Sequence, residues 1–177
     1  MRALTLVGQM GAGKSTLARL LAARWRSLGF IAVDLDLLIA RTAGVSVPEL
    51  FAREGEAAFR VRERAALDAA LSRWPLVLAT GGGAPCAPGA MDAILAAGPA
   101  VWLDAPPAVL ARRALGGGGR PLLAGLDQAG ATELLAAQRA ARAPHYARAT
   151  FTVDAAAPAA TVLAAILALV APEEPWP

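Results

Sequence analysis

The stretch VGQMGAGKST, residues 7–16, decides the fold. An apolar run, ALTLV, leads into it, and LARLLAARWRSLG follows with apolar residues at helical spacing and a glycine stop. Gly8, Gly13, Lys14 and Ser15 fit G-x-x-x-x-G-K-S/T in the strand–loop–helix setting that this pattern requires. A triphosphate needs many N–H donors pointing inward, and only a glycine-rich turn wraps that closely. The helix that begins near Lys14 adds its positive end, equivalent to roughly half a charge. Gly11, Ala12, Gly13, Lys14, Ser15 and Thr16 are therefore assigned to a nucleotide, with the Ser15 hydroxyl offered to Mg²⁺. Lys14 is the single lysine among 17 basic residues. Its compact ammonium fits inside such a loop and reaches the β and γ phosphates, where the wider guanidinium fork does not.

Outward from the loop, FIAVDLD, PLVLAT, PAVWLD and TFTVD read as further buried strands. Between them, SVPELFAREGEAAFRVRERAALDAALSR reads as one or two helices, with Pro48 in a first turn. APGAMDAILAAG, PPAVLARRALGGG and ATELLAAQRAARAPHYARA read as helices too, the last expected to stop before Pro144. Strands alternating with helices imply an α/β fold, a five-stranded parallel sheet covered on both faces in three layers. In such sheets ligands bind beyond the carboxyl ends of the strands, where every motif below falls.

The 177 residues suit one domain. A formal charge of +3, with scattered arginines, argues for small anionic ligands and against nucleic acid, which would call for a basic stripe. The single cysteine, Cys86, allows no internal disulfide and fits a reducing cytoplasm. The alanine-rich segment near the C-terminus is interrupted by Pro158 and Thr161, falls short of the ~20 apolar residues of a membrane span, and reads as a packed terminal helix. The tail PEEPWP is expected to fray.

FIAVDLD places Asp34 and Asp36 at the end of strand two, on one side if the chain stays extended. Asp34 is assigned to a metal and Asp36 to a substrate; the alternative is that Asp36 caps the next helix. Asp104 is a second metal candidate, although capping of the helix after it is the simpler reading. Gly81–Gly83 either let a small ligand approach the sheet or form a plain tight turn. Arg60 and Arg142 suit a carboxylate bound bidentately, or a solvated helix face. Arg120, between four glycines and Pro121, suggests a lid.

Together, GQMGAGKST, DLD, Phe59–Arg60 with Glu63, GGG, RPLL at 120–123 and RAPHY at 142–146 resemble the shikimate kinases in order and approximate spacing, from about Leu4 to about Leu169. The resemblance implies a phosphate-loop fold of the nucleoside monophosphate kinase type, and transfer of the γ-phosphoryl of ATP to the 3-hydroxyl of shikimate. By matched position, Lys14 would contact the transferring phosphoryl, and Ser15 and Asp34 would hold Mg²⁺. Asp36 would bind the acceptor hydroxyls, as positioner or general base. Arg60 and Arg142 would clamp the shikimate carboxylate, with Glu63 orienting Arg60, and the N–H groups of Gly82 and Gly83 would touch the ring substituents. Arg120 would come from a lid spanning about 115–127 and bridge the phosphoryl group. Arg113 and Pro158 would flank the adenine, and Met10, Phe51 and Phe59 would form an apolar wall. An acceptor-binding helical segment would span about 34–64. ATP and shikimate are the expected partners, the chain a cytoplasmic monomer. Two features depart from the family: GGGG in the lid, and VDAAAPAA, which lacks the polar residues often found beside the adenine. A gluconate or nucleotide kinase, or a non-catalytic ATP-binding regulator, are the rival readings. Cys86 and His145 receive no role.

Overall fold

Among the described residues, five short strands alternate with seven α-helices, as the hydrophobic pattern requires. A computed structural model describes residues 3–73, 75–117 and 121–170. The strands are β1 Ala3–Val7, β2 Ile31–Asp34, β3 Leu76–Ala79, β4 Ala100–Asp104 and β5 Phe151–Asp154. The helices are α1 Lys14–Arg24, α2 Leu35–Ala43, α3 Val47–Leu71, α4 Ala90–Ala97, α5 Pro107–Gly116, α6 Gln128–Tyr146 and α7 Ala159–Leu169. The strands form one parallel sheet in the order β2-β3-β1-β4-β5.

Side chains alternate across each strand and feed two cores. On one face Leu4, Leu6, Val101 and Leu103 pack with Leu17 and Leu21 of α1, Leu110 of α5 and Ile166 of α7. On the other, Val7, Leu76 and Leu78 pack with Ile39 of α2, Phe59 and Leu67 of α3, and Ile94 of α4. Helix α6 serves both: Leu135 belongs to the first core and Tyr146 to the second. The expected three layers are present, and α7 is the packed terminal helix, burying Val162 and Ile166. Among the described residues no helix is long and apolar enough to cross a membrane. The tail PEEPWP lies outside the described residues.

Three local expectations are corrected. Helix α6 does not stop before Pro144; it runs on to Tyr146. Proline removes one backbone donor, but the end is closed by the N–H of Ala147 on the Ala143 carbonyl at 2.8 Å. The same helix begins earlier than its apolar pattern suggests, because Asp127 caps it through the Gly130 N–H at 2.8 Å. The extended chain that was to carry both Asp34 and Asp36 ends at Asp34, and Asp36 lies in the first turn of α2. The long stretch after β2 resolves as one assigned helix broken at Gly55, where φ is 77°. Its start carries a capping box between Ser46 and Glu49, with Pro48 in the first turn.

The phosphate loop lies against α5. Gly11 has φ +80°, and a Cβ there would sit 2.5 Å from the Leu110 carbonyl oxygen. Gly11→Ala should therefore destabilise the chain by about 1–3 kcal/mol, read as a lower urea midpoint; an unchanged midpoint would contradict this close packing.

Candidate active site

The carboxyl ends of β1, β2 and β3 border a cleft of about 530 Å³. Its walls come from the phosphate loop after β1, the Asp34–Asp36 turn after β2, the glycine run after β3, and the facing sides of α3 and α6. In the loop, Lys14 is held among backbone carbonyls: its Nζ donates to Gly8 O at 2.8 Å and Gln9 O at 2.7 Å. Gln9, buried to 2% exposure, donates from Nε2 to Leu135 O at 3.0 Å and so ties the loop to α6. Sequence reasoning passed over Gln9, because the motif leaves that position open. Gly11, Gly13, Lys14, Ser15 and Thr16 line the cleft, while Ala12 is buried behind them in the core.

Of the two aspartates, the alternative that Asp36 caps the following helix is the one that fails. Asp34, and not Asp36, caps α2: its Oδ1 accepts from the N–H groups of Asp36 at 3.1 Å and Leu37 at 3.3 Å. Both still line the cleft, because a helix that begins directly after the strand keeps neighbouring positions at the same edge. Asp104 does not cap α5, whose N-cap is Pro106 with no side-chain bond. It pairs bidentately with Arg139, at 2.9 and 2.6 Å, and the guanidinium also lies over the Trp102 ring. Neither residue of that pair is among those that line the cleft.

The half of the cleft beyond the phosphate loop is assembled around three glycines that charged side chains approach closely. A Cβ on Gly81 would lie 2.8 Å from Asp36 Oδ1 and 3.0 Å from Glu63 Oε1. One on Gly82 would lie 2.9 Å from Arg142 Nη1, and one on Gly83 only 2.6 Å from Arg60 Nη1. Each glycine thus admits a charged group to van der Waals distance of the backbone. The run is a place where side chains close on bare backbone.

Arg60 sits in a fork of carboxylates, with Nη1 on Glu63 at 2.7 Å and Nη2 on Glu56 at 3.0 Å. Burial works against its charge, but these two partners outweigh it and raise its pKa further. Glu63 is buried to 3% exposure, and burial pushes its carboxyl above the usual range even though Arg60 pulls the other way. On α6, Arg142 reaches Gly82, and beneath it the Tyr146 hydroxyl donates to Gly82 O at 2.5 Å. Tyr146 is wholly buried, and burial raises its phenol well above the ordinary value, so it stays protonated and able to donate. Tyr146 stands in the quoted RAPHY, but its contact spans 64 positions and no local signal reveals it. Met10, Phe51 and Phe59 line the cleft as expected, the two phenylalanine rings 4.2 Å apart. Cys86 lies near Arg142 and Arg60, its thiol pushed up by burial.

At the other end Arg113 lines the cleft. Its guanidinium donates to the carbonyls of Ala155 at 2.5 Å, Ala156 at 2.8 Å and Ala157 at 3.2 Å. The backbone of VDAAAPAA thus holds the Arg113 guanidinium in place. Pro158 is the exposed N-cap residue of α7 and is not among the residues that line the cleft. Arg120 lies outside the described residues; from the segment read as a lid, Leu122 reaches the cleft wall.

The family model described as shikimate kinase matches residues 10–171. The chain belongs to the shikimate kinase family. Curated relatives agree. A shikimate kinase of Paramagnetospirillum magneticum is 44% identical over 164 residues, covering 92% of this chain and 81% of that protein. One from Symbiobacterium thermophilum is 45% identical over 148 residues, 82% of each. Among solved structures, the shikimate kinase of Acinetobacter baumannii in complex with shikimate superposes with a TM-score of 0.85 at 35% identity, over 96% of this chain and 92% of that one. A gluconokinase from Sinorhizobium meliloti shares the fold, with a TM-score of 0.62 at 20% identity over 94% of this chain and 89% of that one. The family is one of ATP-using kinases, so the regulator reading is set aside.

Because burial raises Glu63, the folded chain keeps that proton at pH values where the unfolded chain has released it, above the ordinary 4.5. Its contribution to stability must then fall as pH rises through that window. In urea unfolding, the advantage of the wild type over Glu63→Gln should be greater near pH 4 than near pH 7; a constant or growing advantage toward pH 7 would contradict the burial argument.

Proposed function

We propose that this cleft transfers the γ-phosphoryl of ATP to the 3-hydroxyl of shikimate, giving shikimate 3-phosphate and ADP, a step of chorismate and aromatic amino-acid biosynthesis. One observation carries the reading. The phosphate loop with Lys14 and Ser15, and the acceptor cluster of Asp36, Arg60 and Arg142, line a single cleft.

The roles follow from chemistry. Lys14 exchanges its two loop carbonyls for phosphate oxygens when the nucleotide enters, at little conformational cost, since its ammonium is already held within the loop. The loop N–H groups of Gly11, Ala12, Gly13, Lys14, Ser15 and Thr16, with the positive end of α1, take up the remaining phosphate charge. Arg113, fixed by three carbonyls, flanks the adenine, with Pro158 beside it at the start of α7. Arg60 and Arg142 clamp the acceptor's carboxylate from α3 and α6, with Glu63 fixing the Arg60 fork. The N–H groups of Gly82 and Gly83 meet the ring substituents. Asp36 holds the acceptor hydroxyl in line with the phosphoryl group. The hydroxyl oxygen forms the new bond to phosphorus as the bond to the ADP oxygen breaks, and its proton passes to Asp36 or water. A loose transition state makes positioning by Asp36 weigh more than early proton removal. Arg120, from a lid over about 115–127, adds charge at the phosphoryl group, and the segment over about 34–64 carries the acceptor.

The Ser15 hydroxyl and the Asp34 carboxylate suit Mg²⁺, which takes one or two protein oxygens together with phosphate and water. Among the described residues no cluster of three metal-binding side chains exists, consistent with a cation held mainly by the nucleotide. When bound, Mg²⁺ neutralises phosphate charge. The chain acts as a cytoplasmic monomer, and neither nucleic acid nor membrane is a partner.

Lys14→Ala should lower kcat/KM by about a thousandfold or more, followed by ADP release with shikimate as acceptor; near-normal turnover sinks the loop assignment. Arg60→Ala should raise the KM of shikimate about tenfold or more while leaving that of ATP within about twofold. Equal effects on both would break the clamp, and gluconate in place of shikimate should release no ADP.

A further inference from the structure

The proposed chemistry leaves Tyr146 unused, although it is the largest fully buried side chain at the edge of the cleft. Its ring packs against Trp102, with centroids 5.8 Å apart, which fixes the phenol axis. Its hydroxyl donates to Gly82 O at 2.5 Å. Arg142 converges on the same point: a Cβ at Gly82 would lie 2.9 Å from Arg142 Nη1 and 3.7 Å from the Tyr146 hydroxyl. A phenol donates one hydrogen bond and accepts others, whereas a guanidinium only donates. The tyrosine oxygen can thus satisfy the Gly82 carbonyl with its proton while its lone pairs stay open to the Arg142 guanidinium, which approaches the same backbone point.

The geometry has a second effect. The Gly82 carbonyl and the Gly83 N–H belong to one trans peptide and point in opposite directions. Fastening the carbonyl to α6 turns that N–H away from Tyr146. Among the described residues no backbone acceptor takes it, and Gly83 lines the cleft beside Arg60. With glycine on both sides the peptide has little torsional restraint of its own, so its direction depends on what holds the carbonyl.

We propose that Tyr146 is a positioning residue for the acceptor, joining Gly82 O to Arg142 and thereby setting both the Gly82–Gly83 peptide and the carboxylate-binding guanidinium. This rests on the reading of the cleft as the acceptor site. Tyr146 touches neither substrate; it acts through two groups that do. Its effect therefore falls on acceptor binding and spares the nucleotide.

Tyr146→Phe keeps the ring on Trp102 and removes only the hydroxyl. In steady-state assays of ADP release, the KM of shikimate should rise about fivefold to tenfold. The KM of ATP and kcat should stay within about twofold, with the melting temperature lowered by only a few degrees. A shikimate KM within about twofold of wild type overturns the proposal. So does a parallel loss in both KM values and kcat with a large drop in melting temperature, since the hydroxyl would then merely support the fold. Arg142→Ala, run alongside, separates the two claims. If it raises the shikimate KM and Tyr146→Phe does not, only the positioning role falls. If Arg142→Ala leaves that KM unchanged, the cleft is not the acceptor site and both fall.

Discussion

At the end of β3 three bare glycines let charged side chains close on the backbone, and the rest of the site is arranged around that approach. Gly81, Gly82 and Gly83 are met in turn by Asp36 with Glu63, by Arg142, and by Arg60. These groups come from the consecutive helices α2 and α3 and from the distant α6. Any Cβ in the run would push one of them away. A strand that ends in bare backbone leaves N–H groups and charged side chains facing the same space at the carboxyl end of the sheet. The sheet order places this edge next to β1, and β1 delivers the phosphate loop.

Charge is balanced before any ligand arrives. Lys14 rests on two carbonyls, Arg113 on three, and Arg60 between Glu56 and Glu63. Half-buried cations without such partners would carry a large desolvation cost. Neutral carbonyls hold Lys14 and Arg113 without cancelling their charge, whereas Arg60 is held by the two carboxylates of Glu56 and Glu63. Arginine serves at sites where a planar fork is gripped on two sides, and lysine is kept at the one position inside a tight loop. Gln9 extends the same economy: one buried amide binds the loop to α6, the helix that also carries Arg142.

Much of this was legible in the chain. The strand–helix alternation and the loop motif are local patterns, and they led to the correct sheet and the correct edge for the cleft. Each motif quoted for the family resemblance contributes at least one residue to one cleft, whereas Ala12 and Pro158 do not line it and Arg120 lies outside the described residues. What failed was decided by tertiary partners. Asp104 reads as a cap because a proline-opened helix follows it, yet Arg139, 35 positions away, claims it. Asp36 was placed on an extended strand, but the Asp34 carboxylate starts the helix two residues sooner. Pro144 signals a helix end, and so close to the terminus its missing N–H removes too little to enforce one. Tyr146 and Gln9 act through single bonds to distant carbonyls, which leave no periodicity to read.

The central claim is that a nucleotide's terminal phosphate and an acceptor hydroxyl meet in this cleft between Lys14 and Asp36. A crystal structure of the chain with ADP, a planar metal fluoride and shikimate tests it most directly. The account predicts the fluoride within about 3 Å of the Lys14 ammonium, and the shikimate 3-hydroxyl within hydrogen-bond reach of Asp36 on the opposite side. Shikimate bound elsewhere, or Asp36 turned away from the fluoride, would contradict it.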